Sequence, residues 1–62
     1  MNKLFERIIY IMTEWNILSS HGNRKVDCID YTLNKIMEET EYKYNAFALE
    51  TIISCIWELS DN

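Results

Sequence analysis

The sequence predicts an all-α fold: a small antiparallel three-helix unit, helix-turn-helix-turn-helix, assembling as a helical-bundle homodimer. Three observations predict it. Apolar residues return every three or four positions along most of the chain, the spacing that brings side chains to one face of a helix. Proline is absent and glycine occurs once, at Gly22, so strong breaks are few. And 48% of only 62 residues are apolar, whereas a chain of this size buries only about 60% of the surface that its unfolded form exposes.

The first helix is expected over about residues 2–19, where Leu4, Ile8, Ile11, Trp15 and Leu18 recur at 4-3-4-3 spacing. Ser19-Ser20-His21-Gly22-Asn23 follows as a tight turn, with Gly22 as the left-handed stop. The second helix is expected over 25–39, with Val26, Ile29, Leu33, Ile36 and Met37 as its stripe and Asn23 or Asp27 as its cap. Glu38, Glu39 and Glu41 crowd its carbonyl end, where the macrodipole prefers cations. Continuing that register past residue 40 gives a poor stripe, while Tyr42, Ala46, Leu49, Ile53 and Ile56 form a good one two positions out of phase. The slip predicts a break near 40–45, capped by Thr40 or Asn45, and a third helix over 43–59, all within one domain, 1–62.

Arc width then assigns neighbours. The second helix, with an apolar arc of about 100°, packs on one side only. The first spans about 180°, because Phe5, Ile9 and Met12 flank its seam. The third spans about 220° with two seams: Leu49, Ile53, Ile56 and Trp57, and Ala48, Ile52, Cys55 and Leu59. A three-helix monomer can fill 180° but not 220°, so apolar surface is left over for a protein contact. Phe47, Ile52, Cys55, Trp57 and Leu59, helped by Phe5, Ile9 and Met12, are the expected self-association surface, and a twofold pair is the commonest arrangement.

Charge separates along the chain. The net charge is −4, made of +2 over residues 1–26 and −6 over residues 27–62. That balance opposes direct nucleic-acid binding, which needs clustered Lys and Arg. Asp27, Asp30, Glu38 and Glu41 fall on one strip of the second helix with Tyr31 beside them, an acidic edge suited to steering a partner protein with a basic surface.

Sites for chemistry are missing from the pattern. Cys28 and Cys55 form neither a Cys-x-x-Cys motif nor a disulfide framework and read as reduced thiols of a cytoplasmic protein. His21 stands alone in the turn, and Ser19 and Ser20 lack an elbow motif. No phosphate loop, metal or cofactor motif and no catalytic residue is identified, and three short helices can hardly enclose a small-molecule pocket. The charge-free runs are too short to cross a membrane, and the first helix lacks the basic excess of a membrane-surface helix.

In length, helical pattern, acidity and Ile/Asn/Glu-rich composition, the chain is similar in kind to small regulators and inhibitors of AT-rich bacteria and their phages. The expectation is therefore a non-enzymatic, homodimeric inhibitor or regulator that binds another protein. The alternatives are an acidic mimic of nucleic acid, a small transcriptional regulator using Arg24 and Lys25, and a subunit of a larger assembly.

Overall fold

The computed structural model describes residues 2–18 and 24–60, with the side chains at positions 17, 18 and 60 excepted. The turn assigned to residues 19–23, with His21 and Gly22, and the side chains of Ile17 and Leu18 lie outside the described residues.

Asn2 starts the first helix. Its Oδ1 accepts the Leu4 N–H at 2.8 Å, satisfying one of the donors a helix start leaves open, and α1 runs Lys3–Leu18. α2 runs Lys25–Glu39 from an extended Arg24 whose side chain makes no cap. Asp27 is therefore not the cap; it sits inside the first turn, where a carboxylate suits the helix dipole.

The predicted break after α2 is present, and its chemistry is complete. The Tyr42 N–H bonds the Met37 carbonyl at 2.8 Å and the Glu41 N–H bonds the Glu38 carbonyl at 3.2 Å, the 6→1 and 5→2 pair of a Schellman motif. Thr40 seals the end differently from the capping role expected of it: its Oγ1 donates back to the Ile36 carbonyl at 2.7 Å. Glu41 and Tyr42 take left-handed φ of 55° and 60°. Asn45 is the cap of α3, its Oδ1 accepting the Ala48 N–H at 3.0 Å, so that α3 runs Ala46–Ser60, three residues later than the spacing predicts.

Among the described residues all regular structure is helical, and α2 is the central element. It packs against both α1 and α3, while those two meet each other only weakly. This corrects the expectation that the second helix packs on one side. Its buried face is centred on Cys28 and Thr32, with Ile29 and Ile36 beside them, and Val26 is 66% exposed. Toward α1 the helix presents Tyr31 and Glu39, bonded to Glu14 and Arg7, beside the small Cys28 and Thr32, so that edge carries little of the apolar stripe.

The core joins Ile8, Ile11 and Met12 of α1, Cys28, Ile29 and Ile36 of α2, and Leu49 and Ile53 of α3. Leu4, Trp15, Leu33, Ile52, Ile56 and Trp57 pack around it. Each fully buried Ile or Leu side chain contributes roughly 1.5–3 kcal/mol. Ion pairs fix the antiparallel order at both ends. Arg7, near the start of α1, donates Nε to Glu39 Oε2 at 2.9 Å and Nη2 to Oε1 at the end of α2, and Lys25 at the start of α2 pairs with Glu58 near the end of α3.

Candidate binding surfaces

Helical phase, read together with these pairs, sorts the surface into faces. On α1, Arg7 and Glu14 reach toward α2, so Phe5 and Ile9, on the far side of the Ile8–Ile11 seam, lie on the flank away from α2. On α3, Glu58 reaches α2, so Ala48, Ile52, Cys55 and Leu59 lie on the flank away from it. The two flanks border the same α1–α3 side of the molecule, opposite α2. Leu59 is 77% exposed, Phe5, Ile9, Ala48 and Cys55 are exposed, and Ile52 is half-buried. Asn16 lies between Phe5 and Ile9, while Thr13 and Thr51 form the outer borders of this side, each within about 20° of a carboxylate, Glu6 and Glu58. Depletion of charge around an apolar centre is how the cores of protein interfaces differ from ordinary surface.

Three residues of the expected self-association surface fall elsewhere. Met12 is only 6% exposed and belongs to the core, because α1 turns its Ile8–Met12 edge inward. Trp57, half-buried against the same core as Ile52 is, lies roughly 170° around α3 from the Ala48–Leu59 flank. Phe47 is 79% exposed but lies about 100° around α3 from the Ala48–Leu59 flank, and is not continuous with it.

The acidic strip is shorter than the sequence implies. Asp30 and Glu38 are exposed on the outer face of α2 with Asn34 between them. Asp27 is half-buried and pairs with Arg24 at 3.1 Å. Tyr31 is half-buried and engaged within the chain. Its hydroxyl donates to Glu14 Oε1 at 3.2 Å and its ring lies 5.3 Å from that of Trp15, so it fastens α2 to α1. Glu41 leaves the strip altogether, since α2 has ended before it. Glu39, counted in the crowded helix end, is the partner of Arg7, whose hydrogen bonds and charge hold its carboxyl below the ordinary range and raise the guanidinium in turn.

Both cysteines are free thiols. Cys28 is buried and its titration is pushed up by that burial, opposed by the Thr32 hydroxyl one turn away. Arg24 and Lys25, the cations of the regulator alternative, are ion-paired to Asp27 and Glu58. A shallow hollow lined by Lys3, Glu6, Arg7 and Tyr10 lies on α1 alone, with the Arg7 guanidinium stacked 5.0 Å from the Tyr10 ring. Among the described residues no three His, Cys, Asp or Glu side chains gather as metal ligands, and no helix is long and apolar enough to cross a membrane.

An exposed aromatic group surrounds the α2–α3 turn: Tyr42, Tyr44 and Phe47, with Lys43 Nζ 5.8 Å above the Tyr44 ring. The sequence marked Phe47 and put Tyr42 on the apolar stripe of the third helix, whereas the left-handed turn leaves Tyr42 exposed, without a glycine to announce it.

Comparison with protein-family models, with curated proteins and with solved structures returned no match. The fold and these surfaces are therefore what any functional reading rests on.

Proposed function

We propose that this chain is a non-enzymatic, acidic binding protein that works as a homodimer and inhibits or regulates another protein by occupying its surface. The observation that carries the reading is the uncharged apolar side shared by α1 and α3. Closing the α1–α3 sides of two copies leaves both acidic α2 faces outward, where Asp30 and Glu38 steer a partner with a basic surface. The free thiols of Cys28 and Cys55 support a cytoplasmic location as part of the same proposal.

The test compares two single substitutions of similarly exposed apolar residues by sedimentation equilibrium. Leu59→Asp, on the uncharged side, is expected to shift the chain to monomer with its helix content unchanged by circular dichroism; Phe47→Asp, off that side, is expected to leave the association intact. Equal behaviour of the two variants would remove the α1–α3 side from the account.

A further inference from the structure

We infer that the α2–α3 corner anchors an arginine of a basic partner protein, the guanidinium stacking on the exposed ring of Tyr42 while its N–H edge donates to the carboxylate of Glu41 or Glu38. The inference rests on the acidic-binding half of the functional reading, not on the homodimer, and names the group that is recognised.

Three observations meet at this corner. Aromatic surface is open there: Tyr42 is 70% exposed and Phe47, at the start of α3, is 79% exposed. The faces of the other tyrosines already hold cations. Arg7, Lys35 and Lys43 stand 5.0, 5.6 and 5.8 Å from the ring centres of Tyr10, Tyr31 and Tyr44, inside the roughly 6 Å at which a ring face attracts a cation. Among the described residues, Tyr42 is the tyrosine with no cation over it. The charge around it is negative and unpaired. Glu38, Glu41 and Glu50 are exposed and enter no ion pair among the described residues, whereas Glu39 is held by Arg7 and Lys43 by Tyr44. The Schellman bonds set Glu41 and Tyr42 side by side at φ 55° and 60°, with both side chains in solvent. A non-glycine pair kept in that region, with neither side chain hydrogen-bonded among the described residues, is the kind of outlier that clusters at binding sites.

A ring face flanked by carboxylates selects arginine over lysine. The guanidinium is flat and weakly hydrated, so it can lie on a ring and donate in its own plane to a carboxylate at once; the compact, strongly hydrated ammonium cannot do both. Phe47 offers apolar cover for the aliphatic stem of such a side chain. Asp30, farther along the outer face of α2, adds attraction at a distance without anchoring.

Hexa-arginine and hexalysine peptides, equal in charge, are the probes, titrated into the isotope-labelled chain at physiological ionic strength and followed by amide chemical shifts. Shifts centred on residues 38–50 are expected, with hexa-arginine binding about threefold or more tightly than hexalysine, the size of an exposed cation–π contact. Tyr42→Leu and Glu41→Gln should each remove that preference, while Asp30→Asn keeps it, with helix content unchanged by circular dichroism. Because Tyr42 occupies a left-handed position, Phe47→Ala on the regular helix is a second variant, expected to weaken hexa-arginine in the same direction. Equal binding of the two peptides, or shifts centred on Asp30 and Asn34 that ignore Tyr42, would overturn the arginine anchor and leave the acidic binding surface standing. No binding of either peptide would overturn both.

Discussion

Thr32 lies at the centre of α2's buried face, fully inaccessible, and its Oγ1 meets no oxygen or nitrogen partner among the described residues, only the weakly bonding Cys28 thiol one turn away; the indole Nε1 of Trp15 has no partner there at all. A buried hydroxyl without a partner costs about 1–3 kcal/mol. Thr32→Val keeps the shape and removes the unpaired group, so it should stabilise the fold by about 1 kcal/mol, read as a higher urea midpoint at unchanged slope. Glu41 is the second costly residue. It occupies the Schellman position that glycine usually fills, at φ 55°, where a side chain costs about 1–2 kcal/mol. Glu41→Gly should therefore raise stability by about 0.5–1 kcal/mol after the added freedom of the unfolded chain is subtracted, and calorimetry would show it as a higher Tm. Neither residue was legible from periodicity. Apolar spacing counts only apolar residues, so a buried threonine and cysteine drop out, and a left-handed turn built from Glu and Tyr carries none of the Gly or Asn that would announce it.

At the scale of the element, the spacing located what phase alone determines. The 4-3-4-3 runs gave α1 and the core side of α3, and the two-position slip placed the break that the Schellman motif makes. What spacing could not locate was which helix is central. Arc width suggested the outer helices would have most neighbours, yet α2, with the narrowest stripe, touches both. The reason lies in small and charged residues: Cys28 and Thr32 complete its buried arc, and Glu39 and Lys25 bind the helices beside it. The acidic end of α2 finds part of its explanation there, since Glu39 is placed to meet Arg7. Its carboxyl titrates below the ordinary value of 4.5, chiefly through the Arg7 hydrogen bond. A lowered folded value means that the pair's contribution is fully present above the ordinary carboxylate range and is lost as pH falls through the folded value. The stability gap between the native chain and Glu39→Gln, followed by urea unfolding from pH 7 to pH 3, should be constant near neutrality and close on the acid side. A gap that held constant to pH 3 would mean that the ion pair contributes nothing to it.

The whole molecule has two unlike sides. α2 presents Asp30, Asn34 and Glu38 outward, and the opposite side, shared by α1 and α3, carries Phe5, Ile9, Ala48, Ile52, Cys55 and Leu59 without a charge among them. Most of this second side was legible, because a second 4-3-4 seam on one helix is visible in the sequence; Met12 and Trp57 were wrongly attached to it because arc width does not tell which edge of a wide arc faces the core. The claim on which the functional reading depends is that this side is closed by another copy of the chain. Light scattering on the native protein, diluted from high to low micromolar, tests it most directly. The account predicts a mass of twice the 7.5 kDa chain at the upper concentrations, falling toward the single-chain value only on dilution. A mass of one chain at every concentration would contradict it.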